Sequence, residues 1–153
     1  MFSRTTEYAL RALAALACSA DDEMVKGHTL SSSAGLPLNY LSKILAVLTR
    51  AGILQASRGR EGGYRLAQPA EHILLVNVVE LFEGVKTRPH CLFESGRECS
   101  DDNPCGAHES FKGLRKVLIE FLESTTIADI EGLADRGGVP AGGLRSSKAG
   151  GRK

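Results

Sequence analysis

The sequence has no apolar run long enough to span a membrane, and its opening stretch does not resemble a secretory signal peptide. In MFSRTTEYALRALAALAC the apolar positions are interrupted by Arg11 and preceded by Glu7, and no polar cleavage region follows. We therefore expect no membrane partner and a cytoplasmic location, where cysteines stay reduced and can act as ligands.

Enzyme signatures are also missing. The sequence has no Ser/His/Asp or Cys/His pattern with an orienting third group, no phosphate-binding glycine loop after a strand, and no paired-carboxylate motif. The enzymatic alternative is a thiol- or cluster-dependent catalyst with Cys91 or Cys105 as the nucleophile. We expect that the protein is not an enzyme.

Length and charge indicate one domain whose basic front half and acidic middle have different roles. The chain has 153 residues and a net charge of only +1, with 42% hydrophobic and 24% charged residues, as in an ordinary globular protein. The charge is uneven: residues 1–66 carry +3, residues 67–131 carry −6 and residues 132–153 carry +4. A basic front half followed by an acidic middle suggests that the front faces a polyanion, although a solvated charged face is the commoner meaning.

The front half contains a helix-turn-helix pattern. Residues 5–19 predict a first helix, capped by Thr5 or Thr6, with Cys18 as a small core residue. Thr29 can cap a second, short helix that ends at Gly35. In the third helix, four apolar residues recur at i, i+3, i+4 and i+7 and predict a buried face: Leu41, Ile44, Leu45 and Leu48. A short helix, a glycine turn and a longer helix with polar residues near its start are typical of a DNA-binding unit.

A basic hairpin follows this unit directly. Gly52 ends the third helix, and residues 53–57 and 64–67 predict two strands. The tip between them combines arginines with glycines, which permit a sharp turn and a close approach to phosphate: Arg58, Gly59, Arg60, Gly62 and Gly63. We interpret the hairpin as the wing of a winged helix; the alternative is a basic surface hairpin without function.

The second half predicts two helices around a cysteine-rich stretch. Residues 74–83 form an apolar helix closed by Gly84, with Asn77 facing solvent. Residues 107–124 form a longer helix with an apolar stripe, which favours a dimer interface over ordinary core: Phe111, Leu114, Val117, Leu118, Phe121 and Leu122. A short helix over residues 125–133, capped by Thr125 or Thr126, and a Gly- and Ser-rich basic tail that we expect to be disordered complete the chain.

Three of the four cysteines lie between these two helices, in HCLFESGRECSDDNPCGAH. Cys91, Cys99, Cys105 and His108 have the spacing C-x7-C-x5-C-x2-H. Thiolates with an imidazole are ligands for zinc or for an iron-sulfur cluster. A disulfide is less favoured because three cysteines leave one unpaired. The remaining alternatives are a cluster-free thiol switch and an inert cysteine-rich loop.

The order of these parts resembles the IscR, NsrR and RirA family of bacterial regulators, the Rrf-two type. The resemblance is carried by TEYALRAL in the first helix, LNYLSKIL in the third, RGREGGYRL in the wing and the three cysteines ahead of a long helix, and it covers residues 1–133. It implies a homodimeric transcription factor, such as a repressor, whose affinity for a palindromic double-stranded DNA operator depends on an iron-sulfur cluster.

The resemblance also implies the ligands. Cys91, Cys99 and Cys105 match the three cysteine ligands, and His108 matches the histidine that completes a 2Fe-2S cluster. Glu7 matches an acidic position that reaches the cluster of the partner subunit in a 4Fe-4S branch. We favour His108 and 2Fe-2S, with 4Fe-4S or a structural Cys3His zinc site as alternatives. The first cysteine gap is C-x7-C, where the better-known members have C-x5-C, so both cluster types remain open.

We expect DNA contacts from the third helix and the wing. Asn39, Ser42 and Lys43 are expected near base edges, and Tyr40, Arg58 and Arg60 at phosphates or in the minor groove. Ser42 stands where the IscR branch has a base-selecting glutamate, so no operator sequence can be transferred. The full predicted set is Asn39, Tyr40, Ser42, Lys43, Ser57, Arg58, Gly59 and Arg60.

The predicted fold is mainly α: a winged helix-turn-helix with a two-stranded wing, a cysteine loop and a long C-terminal dimerisation helix. We divide it into a DNA-binding region at 1–68, a cluster-binding loop and dimerisation helix at 69–133, and a disordered basic tail at 134–153. A rival from another class is a protein-interaction module that has kept the winged helix but lost DNA binding.

Overall fold

The computed structural model describes residues 2–19, 23–86 and 100–133, the last three as backbone only. Two short 3-10 turns accompany the main elements, at Ala70–His72 and Ala128–Leu133. In chain order the helices and strands are α1 (Arg4–Ala17), α2 (Gly27–Ala34), α3 (Leu38–Arg50), β1 (Leu54–Ser57), β2 (Gly63–Leu66), α4 (Leu75–Glu83) and α5 (His108–Ser124).

Helix α1 runs through the middle of the core. Ser3 is its N-cap, because the Ser3 side chain accepts a hydrogen bond from the backbone of Thr6. The prediction of Thr5 or Thr6 as the cap was therefore wrong. So was the placement of Cys18 in the core: α1 ends at Ala17, Cys18 becomes the C-cap residue, and it is exposed. Leu13, by contrast, is fully buried.

The turn between α2 and α3 has the predicted glycine. Gly35 adopts a left-handed conformation with φ +65°, and the backbone N–H of Leu36 donates to the carbonyl of Ser31, which closes the end of α2. Helix α2 begins at Gly27, two residues before the predicted cap at Thr29, and no side chain caps it. In α3, the four residues predicted to be buried are indeed buried: Leu41, Ile44, Leu45 and Leu48.

The wing is a two-stranded antiparallel sheet in which Leu54 pairs with Leu66 and Ser57 with Gly63. Both strand predictions are confirmed to within a residue at each end. Val25, just before α2, adds a backbone bridge to Tyr64 with N···O distances of 2.8 and 2.9 Å. A side chain at Gly63 would collide with the Val25 backbone, so the start of β2, next to the tip of the wing, is fixed against the chain that enters the helix-turn-helix.

The second half closes the core from the other side. Helix α4 ends at Glu83 and is capped by Gly84 with φ +61°. Asn77 is exposed, as predicted. The chain after α5 returns to the start of α4, where the Leu75 N–H donates to the Thr125 carbonyl and the Ile127 N–H to the Ile73 carbonyl. The short helix predicted over residues 125–133 is a 3-10 helix that begins at Ala128, and Thr126, one of the two predicted caps, exchanges hydrogen bonds with Asp129 at its start.

The mainly helical fold with a two-stranded wing is confirmed. Within the described ranges, no helix is both long enough and apolar enough to cross a bilayer. Most of the predicted cysteine loop, including Cys91 and Cys99, lies outside the described residues, and so does the whole predicted tail.

Candidate nucleic-acid interface and metal centre

The outer face of α3 presents polar side chains to solvent. Asn39, Tyr40, Ser42 and Lys43 are all exposed. The Ser42 hydroxyl donates to the Leu38 carbonyl, 2.8 Å away, one turn earlier in the helix. The face that sequence reasoning assigned to DNA is thus solvent-exposed along the first half of α3, opposite the buried apolar face.

Tyr40 has a second set of contacts that the sequence did not reveal. Its hydroxyl lies 2.5 Å from Oγ1 of Thr5 in α1. Its ring packs edge-on against Tyr8, with centroids 5.6 Å apart and an interplanar angle of 89°. Tyr40 is 40% exposed, so it is partly a packing residue between the first helix and the third.

The wing tip carries the other predicted DNA contacts. Ser57, Arg58, Gly59 and Arg60 are all exposed. Gly59 has φ +104°, which a residue with a side chain rarely adopts. A Cβ at Gly62 would overlap the Ser57 carbonyl oxygen. These glycines hold the tip in a tight turn from which the two arginines extend into solvent.

Cys105 and His108 lie together at the start of α5. The His108 backbone N–H donates to the Cys105 carbonyl over 3.0 Å, so the two residues are one turn apart, as the C-x2-H spacing predicted. Cys105 is partly exposed, and the His108 side chain is only 11% exposed. The structure therefore brings together two of the four predicted ligands; the other two cysteines are not among the described residues.

Asp101 is a member of this site that sequence reasoning missed. Its Oδ1 lies 2.9 Å from Nε2 of His108 and 2.6 Å from Nζ of Lys112. The hydrogen bond from Lys112, followed by the one from His108, holds the pKa of Asp101 below its usual value. Candidate ligand atoms of Asp101, His108 and Glu109 all lie within 4.8 Å of one another. Because Asp101 reaches α5 from the preceding turn, no sequence periodicity links it to His108.

Cys105 and His108 have the ligand types of a metal centre, whereas the ligand atoms that lie within 4.8 Å of one another are those of Asp101, His108 and Glu109 and do not include the Cys105 sulfur. A thiol and an imidazole one turn apart are suited to zinc or to an iron-sulfur cluster. A carboxylate bonded to one ring nitrogen of a ligand histidine is the usual means of orienting that ring. Asp101 stands in that position relative to His108.

Glu7, the alternative fourth ligand, lies in the first turn of α1. Its side chain is 60% exposed, and its carboxylate is 3.8 Å from the Arg11 guanidinium one turn later. Its role as a ligand to the partner subunit's cluster remains a prediction.

The cysteine segment, residues 85–106 between α4 and α5, is attached to α5 at its start as well. Arg115 donates two hydrogen bonds to the Val85 carbonyl, at 2.9 and 2.6 Å, and a third to the Lys86 carbonyl at 3.0 Å. Lys86 is also paired with Glu123. The cysteine segment is thus bonded at its start to the middle of α5, and at its end it continues into the first turn of α5.

The surface of α5 is apolar where it meets solvent. Leu114, Val117 and Phe121, which we call the apolar face of α5, are 58%, 62% and 52% exposed. Leu122, at the end of the predicted stripe, is fully buried and anchors the helix to the core. The stripe therefore has two parts, one buried in the subunit and one open.

Comparisons with known proteins agree on the class. A family model described as Rrf2, iron-dependent transcriptional regulator, matches residues 2–131. A relative from Aquifex aeolicus (strain VF5), described as a "Putative HTH-type transcriptional regulator", is 31% identical over 138 residues, covering 89% of this chain and 94% of the relative. Protein aau3 of Rhizobium meliloti (strain 1021) is 34% identical over 130 residues, covering 84% and 82%.

Solved structures share the fold. CymR, described as the global cysteine regulator of B. subtilis, has a TM-score of 0.72 at 22% identity, covering 87% of this chain and 97% of that one. T. potens IscR has a TM-score of 0.67 at 23% identity, covering 92% of each. An oxidized form of Staphylococcus aureus CymR has a TM-score of 0.67 at 24% identity, covering 86% and 95%. The prediction of a winged-helix regulator rather than an enzyme is confirmed, and this chain belongs to the Rrf2 family of transcriptional regulators.

Proposed function

We propose that this protein is a homodimeric transcriptional regulator whose affinity for a palindromic DNA operator depends on an iron-sulfur cluster. Cys91, Cys99 and Cys105 would hold the cluster together with His108 or, alternatively, with Glu7 of the partner subunit. A bound cluster supplies reactivity towards nitric oxide and oxygen and joins the cysteines that ligate it.

One observation carries the proposal: both ends of the cysteine segment are attached to α5. Arg115 binds the carbonyls of Val85 and Lys86 at its start, and His108 binds the Cys105 carbonyl at its end. Any change in the shape of this segment therefore acts on α5. The ligand types of Cys105 and His108, with Asp101 bonded to the His108 ring, support ligation at the same place.

The apolar face of α5 supports the homodimer. Three large apolar side chains, each more than half exposed, lie on one side of the helix. A second copy of the same helix is the natural occupant, because a two-fold operator requires a two-fold protein. The orientation of the two α5 helices would then set the distance between the two copies of α3. Two major-groove half-sites require a spacing of about 34 Å or a multiple of it.

The exposed residues of α3 and the wing support DNA binding. The polar face of α3 would enter the major groove, with Asn39, Ser42 and Lys43 near base edges. The wing residues Ser57, Arg58, Gly59 and Arg60 would lie along the phosphates or in the minor groove. The net charge of +3 over residues 1–66 favours this contact.

The test begins with protein purified without oxygen, on which iron, sulfide and zinc are measured together with the visible spectrum. We expect iron and sulfide near stoichiometric with the subunit and a coloured protein. Cys105→Ser should lose the iron and the colour, whereas Cys18→Ser should keep both, because Cys18 is exposed at the far end of α1. Comparing His108→Ala with Glu7→Ala identifies the fourth ligand. A colourless wild-type protein with one zinc, or with no metal, contradicts the cluster.

A cluster-free thiol switch is the second candidate. The likeness to an oxidized form of S. aureus CymR favours it at the level of the fold, and the partly exposed Cys105 thiol supports it in this chain. A metal-free wild-type protein whose DNA affinity changes with thiol oxidation would establish this function in place of the first.

A further inference from the structure

The first turn of α1 is bonded to the end of α4. The Ser3 backbone N–H donates to Oε1 of Glu83 over 2.8 Å, and the Thr6 hydroxyl donates to the same oxygen. Thr6 has no exposed surface, so its hydroxyl must be satisfied within the protein. A carboxylate at the N-terminus of a helix is also favoured by the helix dipole. Glu83 therefore fixes where α1 begins.

The same turn of α1 is bonded to α3 on its other side. Thr5, the neighbour of Thr6, has its hydroxyl 2.5 Å from that of Tyr40, and Tyr8 packs against the Tyr40 ring. Tyr40 belongs to the helix expected to enter the major groove. The orientation of its side chain is thus set by α1 and not only by α3 itself.

Glu83 is also the last residue of α4, and Gly84 separates it from the cysteine segment. The first two residues of that segment, Val85 and Lys86, are those that Arg115 binds from α5. Lys86 is bonded back to α4 as well, since its backbone N–H donates to the Glu80 carboxylate over 2.7 Å. The short stretch from Glu83 to Lys86 therefore contacts the first turn of α1 through the Glu83 carboxylate and α5 through the carbonyls of Val85 and Lys86.

We infer that Glu83, Thr5 and Tyr40 are positioning residues that connect the base of the cysteine segment to the recognition helix through the first turn of α1. This inference rests on the proposed function, since it concerns how the DNA-binding surface is held. In this arrangement the hydrogen bond between Thr5 of α1 and the Tyr40 hydroxyl holds α3 in position. The sequence had instead suggested a direct contact between Tyr40 and DNA.

The first test compares Thr5→Val with Tyr40→Phe, each of which removes one partner of the same hydrogen bond. Both variants should weaken operator binding by roughly three- to tenfold, and the double variant should be no worse than either single one. Thr49→Val is the control, because its hydroxyl bonds the Leu45 carbonyl within α3. If Tyr40→Phe weakens binding while Thr5→Val leaves it unchanged, Tyr40 contacts DNA directly and the inference is overturned.

The second test concerns Glu83. Glu83→Ala removes the acceptor, whereas Glu83→Gln keeps an oxygen for Ser3 and Thr6. We expect the alanine variant to reduce the ratio of operator affinities between the cluster-loaded and cluster-free proteins several-fold, and the glutamine variant to restore most of that ratio. Thermal unfolding of the cluster-free variants monitors folding. A ratio unchanged by Glu83→Ala, with both affinities lowered equally, would assign Glu83 a purely structural role and overturn the connection.

Failure of the proposed function gives a different result. Wild-type protein whose loaded and cluster-free forms bind DNA equally contradicts cluster control, yet the Thr5 and Tyr40 variants still decide how α3 is positioned. Wild-type protein that binds no DNA in either form contradicts both proposals. In that case the alternative hypothesis holds, in which the protein is a protein-interaction module that has kept the winged helix but lost DNA binding.

Discussion

In α3, each of the four apolar residues that repeat with the helical period is at most 2% exposed, whereas in α5 three large apolar residues are more than half exposed. The two helices have similar amphipathic patterns in the sequence. Helix α3 packs within the subunit against α1, α2 and β1. Helix α5 has Leu122 fully buried and Leu118 packed against the core, and leaves Leu114, Val117 and Phe121 exposed in the subunit. A helical period therefore identifies an apolar face, but not whether the subunit itself buries that face.

The largest expected difference between the two regions is in the cost of removing a leucine side chain. Leu48→Ala should lower the free energy of unfolding by roughly 2–5 kcal/mol, because it leaves a cavity in the core. Leu114→Ala removes the same atoms from the exposed face of α5 and should instead weaken subunit association. Chemical denaturation and sedimentation on both variants test this. If both variants lose a similar free energy of unfolding and neither changes subunit association, the apolar faces of α3 and α5 are covered in the same way.

A charge on the apolar face of α5 should separate the subunits. We expect Val117→Glu to weaken the dimer by at least about a hundredfold, because it would bury a carboxylate in an apolar contact, while helix content stays the same. Lys116→Glu places the same side chain on the opposite, solvated side of α5 and should leave the dimer intact. Sedimentation equilibrium measures both variants. A dimeric Val117→Glu protein would place the interface elsewhere.

The wing should tolerate a methyl group less well than α5 does. Gly62→Ala would push a Cβ into the Ser57 carbonyl oxygen and should lower operator affinity roughly tenfold through a distorted tip. Gly113→Ala, in the middle of α5, meets no atom within 4 Å and should stabilise the helix by about 0.5–1 kcal/mol. DNA binding and thermal unfolding on both variants check this pair. Full operator affinity in Gly62→Ala would exclude a role for the wing tip.

The wing arginines should contribute charge rather than sequence preference. Replacing Arg58 or Arg60 by Ala should weaken binding to all sequences alike and lower the slope of log affinity against log salt by about one each. Binding titrations over a range of salt concentrations give this slope. An unchanged slope, or a loss limited to the operator, would contradict a phosphate contact.

The smallest expected effect is the pH dependence of the Glu83 contact. Burial raises the pKa of Glu83, but the hydrogen bonds from Ser3 and Thr6 outweigh this and hold the pKa below its ordinary value of 4.5. The resulting stabilisation is present above pH 4.5 and is lost as the pH falls through the lowered pKa. Wild-type protein should exceed Glu83→Gln by less than about 1 kcal/mol at neutral pH, since the carboxyl is partly exposed. Denaturation of the metal-free proteins across this range should show the difference vanish in acid; a constant difference would exclude the titration.

Local patterns were sufficient to predict most of the fold. The buried face of α3, the left-handed Gly35 and Gly84 and both wing strands follow from periodicity and turn chemistry. Predictions at the ends of elements were weaker. Ser3 caps α1 in place of Thr5 or Thr6. Cys18 was predicted to lie in the core but is exposed, because α1 ends one residue before it. Helix ends depend on competing local hydrogen bonds, which a period does not resolve.

The site was predictable where its residues are neighbours in the chain. Cys105 and His108 are one turn apart because their spacing is helical. Asp101, Arg115 and Glu83 join the site or its connections through contacts between separate elements, to His108, Val85 and Thr6. Such contacts depend on how the elements pack, and no spacing in the sequence encodes them.

The most direct test of the account is the affinity of one protein preparation for one operator before and after its iron is removed. The operator is first selected from genomic DNA fragments by the anaerobically purified dimer, and both titrations use the same salt concentration. We expect the two forms to differ by at least about tenfold, which corresponds to a coupling free energy of roughly 1.4 kcal/mol. Equal affinities would contradict a regulator whose cysteine segment controls DNA binding.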